Sequence, residues 1–293
     1  MKKYYTRACN FFYGSHSKKL VKKKLALPLC GEANISFNQI EIYIRNKKKI
    51  KSKIIEIKHI KKLPLLIKKK ISGDLKKITS KREFLRKKNH ILMGILNMTP
   101  DSFSDGGKFN SSNKGIRKII QMKNSGAEII DIGGESTRPG SKIISQKNEL
   151  KRVKKILEQF KKKFPKTLLS VDTRKSLVID FSIKNNVDII NDVSCFKFDP
   201  KSFSSVNNKN LWKIIHHMQG TPQTMQINPS YKHVLLDIYD FFENQIKRFK
   251  RDKYKRKIIL DPGIGFGKNL KHNLMILKNI SVFHSLGFPV LIG

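Results

Sequence analysis

Between Ile91 and Phe109 an apolar run, ILMGILN, gives way to MTPDSFSDGGKF, a loop crowded with side chains able to hold an anion. Pro100, Gly106 and Gly107 forbid regular continuation, so Asn97, Thr99, Asp101 and Ser102 are expected to cluster at the C-terminal end of one strand. The stretch GGESTRPG (133–140) adds two hydroxyls, a guanidinium and a Pro-Gly turn. Arg138 can grip phosphate or carboxylate with two N–H groups, which Lys cannot do. An ordinary loop with a surface Arg fits that stretch equally well. SVDTRKS (170–176) places Asp172 at a strand end just before a helix start, where it either caps the helix or accepts N–H donors in a pocket. IINDVS repeats the pattern with Asn191, which both donates and accepts. IILDPGIGFGK (258–268) adds Asp261 and a glycine-rich turn that permits close ligand approach.

Elements of one kind must position these groups. Strand-like apolar runs are read at 91–97, 127–134, 167–173, 187–194, 211–218, 257–263 and 289–293, with helices near 114–125, 145–163, 175–185, 231–252 and 269–285 and a short one near 200–208. Near-continuous apolar strands joined by helical crossovers mean a parallel sheet covered on both faces. The predicted fold class is α/β, a TIM (β/α)8-type barrel with about seven strands, preceded by a small basic region. In such barrels the chemistry sits at the C-terminal strand ends. Nearly every strand here ends on a polar signature: Asn97, Glu135 to Arg138, Asp172 to Arg174, Asn191-Asp192, His216-His217 and Asp261. A doubly wound sheet would gather such groups at a single switch point instead.

The chain's 293 residues, 39% of them hydrophobic, can bury a sizeable core. A net charge of +40 would ordinarily suggest a nucleic-acid partner. Lys outnumbers Arg 51 to 11, however, and Ile and Asn are abundant, the composition of an AT-rich genome, so the charge reads as a solvated surface. Residues 1–89 form a separate region of unknown role and 90–293 the barrel. Residues 1–90 carry 27 basic and 5 acidic residues, with half-buried strand patterns at 34–45 and 53–60. No aromatic-basic motif of an RNA-binding module occurs there. Cys9, Cys30 and Cys195 show no metal or disulfide spacing. No run reaches the ~18 apolar residues needed to span a bilayer, and the N-terminus lacks a signal-peptide core. Cytoplasmic residence follows as the expectation.

Two carboxylates and a carboxamide directed into one apolar cavity complement an amino-oxo heterocycle such as a pterin, and the first two loops suit a pyrophosphate with a divalent ion. These residues resemble the dihydropteroate synthase family from about Ile91 to Gly293. GILNMTPDSFSDGG, GAEIIDIGGESTRPG, SVDTRK, NDVS, HMQGTPQTMQ and LDPGIGFGK occur in the family's order. The resemblance implies a TIM barrel that joins 6-hydroxymethyl-7,8-dihydropterin pyrophosphate to p-aminobenzoate and releases pyrophosphate, with Mg2+ as cofactor and a homodimer for the complete protein. It implies that Asn97 ligates the magnesium and pyrophosphate, and that Asp172, Asn191 and Asp261 hold the pterin. Thr137 and Arg138 would order the second loop, while Asp101, Phe103, Ser104 and Phe266 would line the aminobenzoate side. Asn97, Asp172 and Arg138 would be catalytic through positioning and charge stabilisation, with no protein nucleophile.

Two departures from the family pattern stand out. His216 falls where the family usually has an apolar residue and reads as a core histidine. The chain also stops at FPVLIG, where the family continues through a Ser-Arg-Lys loop and an eighth strand, so an incomplete and inactive barrel, insoluble or molten when expressed alone, is expected. The rival readings are a pterin-binding methyltransferase barrel, which has no use for a pyrophosphate loop, and a basic RNA-binding protein built on residues 1–90.

Overall fold

The computed structural model describes residues 2–47, 49–82, 84, 90–99, 111–136 and 140–293. Contacts divide the chain into two compact units. One comprises Met1–Lys87, Ser230–Glu243 and Leu270–Leu291; the other comprises Lys88–Pro229, Asn244–Asn269 and Ile292–Gly293.

The first unit is built on an antiparallel sheet of β1 (Lys3–Tyr13), β2 (Leu27–Leu29), β3 (Glu32–Asn46) and β4 (Lys49–Glu56), with helices α1 (Gly14–Lys22) and α2 (Leu65–Thr79). Strand β3 pairs with β1 along one edge, and with β2 and then β4 along the other. The alternation read at 34–45 thus belongs to the sheet's central strand. The pattern at 53–60 is half strand: β4 stops at Glu56 and Ile57–Lys62 coil into a 3-10 turn, where Pro64 forbids further ladder donation. Ala8, Phe37, Ile40 and Ile42 from the sheet pack with Ile71 and Ile78 of α2. Buried Thr6 donates to Asp74 Oδ2 of that helix at 2.7 Å. The opposite pleat of β1 presents Lys3 and Tyr5, which together with Arg45 of β3 meet carboxylates of α7 (Val234–Arg248). Lys3 reaches Asp240 and Glu243 at 2.6 and 2.7 Å, and Arg45 reaches Asp237 and Asp240 at 2.5 and 2.8 Å.

The second unit carries a six-stranded parallel sheet in sequential order: β5 (Met93–Asn97), β6 (Ile129–Gly133), β7 (Leu168–Asp172), β8 (Ile189–Asp192), β9 (Trp212–His216) and β10 (Ile258–Asp261). Between them run α3 (Ser111–Asn124), α4 (Gln146–Lys163), α5 (Ser176–Lys184) and α6 (Ser202–Val206), then α7, of which only Asn244–Arg248 belongs to this unit. Strand β6 is buried at every residue, as a parallel strand covered on both faces must be. Among the described residues the parallel sheet has six strands where about seven were expected. In the run 289–293 only Val290 forms an isolated bridge, because an apolar pattern specifies burial whereas a strand also needs a ladder partner. The helix expected over 269–285 is α8 (Leu270–Lys278) followed by a 3-10 segment, Ile280–Leu286. Among the described residues no helix is long and apolar enough to cross a membrane, and Cys9, Cys30 and Cys195 are all free thiols.

Candidate active site

Parallel register decides which strand ends share a level. Asn97 pairs with Gly133, Gly133 with Asp172, and Asp172 with Asn191. Four consecutive strands therefore deliver three polar side chains to one row at their C-terminal ends, with a glycine in the gap. A side-chain carbon added to Gly133 would lie 3.5 Å from both Asn97 Oδ1 and Asp172 Oδ2, so these two oxygens flank the same glycine. Asp261 pairs with His216 at the ends of β10 and β9.

Asp131 was not among the residues expected from sequence. It lies two positions before Gly133, hence on the same face of β6, and is buried. Asn191 Nδ2 donates to its Oδ2 at 3.0 Å. The remaining oxygens of this pair, Asp131 Oδ1 and Asn191 Oδ1, are buried and reach no well-formed hydrogen bond, though the Ser170 hydroxyl, opposite Asp131 in register, favours that residue's charged form. A buried acceptor short of donors is costly, so this spot calls for N–H donors. Burial pushes the Asp172 carboxyl well above the usual range, and the negative charges of Asp131, Glu149, Asp192 and Glu135 push it further the same way. Burial likewise raises Asp131, with Asp261 adding to the effect. It raises Asp192 to about 6, against the hydrogen bonds from Ser194 and Phe196. A crowd of carboxylates in low dielectric is short of positive charge or of donors.

Asp261 is held at both oxygens. Gly263 N donates to Oδ1 at 2.7 Å, and His216 Nδ1 lies 3.1 Å from Oδ2. Gly263 has φ +67°, and a Cβ there would meet His217 O at 2.1 Å, so only glycine completes this turn. Phe266 sets its ring edge-on against the His216 imidazole, with centroids 4.6 Å apart. Lys268 threads beneath the same loop, donating to the carbonyls of His217, Gly263 and Phe266 at 3.2, 2.7 and 2.8 Å. Burial lowers its ammonium to about 7, with Asp261 opposing the shift.

Behind the row, Glu135 closes the second loop on itself and on the third. Its Oε1 accepts from Ile144 N at 3.0 Å and from Lys175 Nζ at 2.8 Å, and its Oε2 accepts from Arg174 Nε at 2.9 Å. Lys175 also reaches buried Glu149 at 2.6 Å. Farther along that loop, Gln223 donates to Ser141 O at 2.9 Å.

Of the residues expected at a site, Asn97, Asp172, Asn191 and Asp261 thus lie at neighbouring strand ends, and Phe266 lies on the loop after β10. Asp101, Phe103, Ser104, Thr137 and Arg138 fall outside the described residues. Asp131 and Lys268 escaped the sequence reading. The signal for Asp131 was the i, i+2 relation to Gly133, which becomes informative once the inward face of β6 is known. His216 is only half the satisfied core histidine expected of it, since Nδ1 is bonded and buried Nε2 is not. Among the described residues no group of three or more His, Cys, Asp or Glu could hold a metal ion.

The profile of the family described as Pterin binding enzyme matches residues 93–293. The dihydropteroate synthase of Escherichia coli strain K12 is 43% identical over 203 residues, covering 69% of this chain and 71% of that protein. The chain belongs to the dihydropteroate synthase family. The Yersinia pestis dihydropteroate synthase, solved with a sulfonamide drug complex, superposes with a TM-score of 0.65 at 42% identity, over 69% of this chain and 74% of that one. The Xanthomonas albilineans dihydropteroate synthase, solved with 4-aminobenzoic acid, gives a TM-score of 0.65 at 32% identity, over 71% and 74% of the two chains. As a member of this family the chain is a transferase of folate biosynthesis, on an α/β architecture consistent with an incomplete TIM barrel.

Proposed function

We propose that the chain performs its family's condensation of 6-hydroxymethyl-7,8-dihydropterin pyrophosphate with p-aminobenzoate, giving 7,8-dihydropteroate and pyrophosphate, through the row of polar groups described above. The observation that carries this reading is the pair of buried acceptors that reach no well-formed hydrogen bond, Asp131 Oδ1 and Asn191 Oδ1, beside Asp172 and Asp261. A pterin edge offers ring N–H and amino donors in the number such a site lacks. The relatives' complexes with 4-aminobenzoic acid and with 7,8-dihydropteroate support the choice of small molecules.

On this reading Asp172, Asn191 and Asp261 hold the pterin. Asp172 also stabilises positive charge that develops at the methylene as the arylamine attacks and the pyrophosphate leaves. No side chain needs to act as a nucleophile; the residues supply orientation and a field fixed in advance. Arg138 offsets the charge of the departing pyrophosphate and, with the Thr137 hydroxyl, orders the second loop over it, while Asp101, Phe103, Ser104 and Phe266 serve the aminobenzoate side. Asn97, whose carboxamide oxygen is a hard donor at the head of the row, is the residue that would hold Mg2+. That ion takes only one or two protein oxygens when phosphates and water complete its shell, so the absence of a three-carboxylate cluster among the described residues is compatible with it. When bound it supplies Lewis-acid relief of charge on the leaving pyrophosphate. We further propose a cytoplasmic location and, for the complete protein, a homodimer, with residues 1–89 as a basic region of unknown role.

Incubating a chain extended through the family's eighth strand with both substrates tests the reading: dihydropteroate should form there and not with residues 1–293 alone, and in the extended chain Arg138→Ala should slow turnover more than it weakens pterin binding. Binding of methyltetrahydrofolate with no dihydropteroate formed would favour a methyltransferase barrel instead.

A further inference from the structure

His216 stands at the end of β9, in register with Asp261 at the end of β10. The imidazole Nδ1 and Asp261 Oδ2 are 3.1 Å apart. With the carboxylate as acceptor, the donor across this contact is the ring's Nδ1–H. Nε2 is then a buried acceptor, and it has no partner. Gly263 packs directly against it, since a Cβ on that glycine would come within 2.8 Å of Nε2. Phe266 closes the ring's edge. A histidine kept only to fill space would be a poor choice here, because an aliphatic side chain fills the same volume without burying an unpaired nitrogen. What the position gains must come from Nδ1.

We infer that His216 is a positioning residue of the pterin pocket, locking the Asp261 carboxylate in the rotation that receives the ligand's N–H groups. Gly263 N pins Oδ1 and His216 pins Oδ2. Each oxygen keeps its second lone pair, so both remaining acceptor sites are aimed before a ligand arrives, and binding need not freeze that torsion. The other charged or titratable neighbours are Asp131, whose carboxyl the charge of Asp261 pushes up, Lys268, which donates to the carbonyls of His217, Gly263 and Phe266, and His217, whose backbone N–H bonds Asp261 O at 2.9 Å. Asp131 is an acceptor like Asp261 and offers it no hydrogen bond, and the other two act at the backbone, which leaves His216 to hold the Oδ2 side of the carboxylate. The inference rests on the pterin reading of the pocket given above.

Calorimetric titration of the 293-residue chain with 6-hydroxymethylpterin tests it through four variants: His216→Leu, His216→Asn, Asp261→Asn and the double His216→Leu/Asp261→Asn. Removing the donor should weaken binding about tenfold, the scale of one lost hydrogen bond. Asn, with an amide N–H near the place of Nδ1, should recover most of that loss. The double variant should be no weaker than Asp261→Asn alone, because the histidine acts only through the carboxylate. Wild-type affinity in His216→Leu with a weakened Asp261→Asn would overturn the positioning role and leave the pocket assignment standing; so would full additivity in the double variant. Wild-type affinity in Asp261→Asn would take Asp261 out of the pocket and overturn the inference with it. Should His216→Leu fail to fold by circular dichroism, nitrogen-15 spectra of the wild-type imidazole decide: a proton on Nδ1 with bare Nε2 supports the inference, and the reverse tautomer overturns it.

Discussion

Asp172 and Asp261 stand in different surroundings although both end strands of the same sheet. Asp261 is anchored at each oxygen by a neighbour, while Asp172 faces other carboxylates that push its proton affinity up. Replacing either with Asn should weaken pterin binding by about 1–3 kcal/mol, the scale for leaving a donor unpaired; equilibrium titration reads this directly, and unchanged affinity in both variants would sink the pocket assignment. The raised carboxyls also set a sign for stability against pH. Asp192 moves from 3.8 to about 6, so between those values the folded chain holds a proton that the unfolded chain has released. Stability should therefore fall as pH rises through that window. Urea midpoints at pH 4.5 and 6.5 check it, and Asp192→Asn should flatten the difference. Asp172, Asn191 and Asp261 were legible because strand-end polar residues break an apolar run visibly. Asp131 was not, since a carboxylate in mid-strand points into the barrel or into solvent according to register, which sequence alone does not fix. The bond between His216 and Asp261 links residues 45 apart, and no local pattern announces it.

The loops after β6 and β7 owe their shape to one buried carboxylate, Glu135, which ties residue 144 to residue 135 and both to Arg174 and Lys175. Glu135→Ala would leave Arg174 without its carboxylate partner, at 5% side-chain exposure, and Lys175 with Glu149 only. The expected cost is about 3–5 kcal/mol, the range for breaking a buried pair, measured by urea unfolding. A loss below about 1 kcal/mol would show that the cluster relaxes around the gap. Glu135→Gln should lose less, since the amide oxygen still accepts. Helices were legible where caps and periodicity agreed: α4 opens at Ser145, whose side chain accepts from Asn148 N at 3.2 Å, within a residue of the expected start. The reading failed where periodicity ran through an irregularity, as at Asn279, whose φ of −121° separates α8 from the 3-10 segment. The loop after β8 was equally silent. There Cys195 and Phe196 adopt successive left-handed conformations, held by Asp192 accepting from Phe196 N at 3.0 Å and by Arg248 donating to Cys195 O and Phe196 O at 2.8 and 3.1 Å.

Across the whole chain, 62 basic residues face 22 acidic ones, so most lysines have no carboxylate available and sit in water as expected. A few basic groups are exceptions: Lys3, Arg45 and the Tyr5 hydroxyl all converge on Asp240. Nothing in the sequence of residues 1–90 pointed to that partner, 195 to 237 positions away. Asp240→Ala should destabilise the first unit by about 1–2 kcal/mol, because three donors lose one acceptor at a partly exposed site; hydrogen exchange in β1 and β3 would report it, and unaltered protection there would show the network is dispensable. Tolerance to substitution is accordingly uneven. A surface lysine can be exchanged at little cost, whereas position 263 admits one residue only, and a saturation library selected for synthase activity should return glycine alone. Gly263 is buried, with its N–H given to Asp261 Oδ1 and its carbonyl accepting from Lys268 Nζ. The residue that aims this carboxylate cannot be exchanged, so an inhibitor anchored on Asp261 is closed to resistance by substitution at position 263, and resistance would have to arise elsewhere.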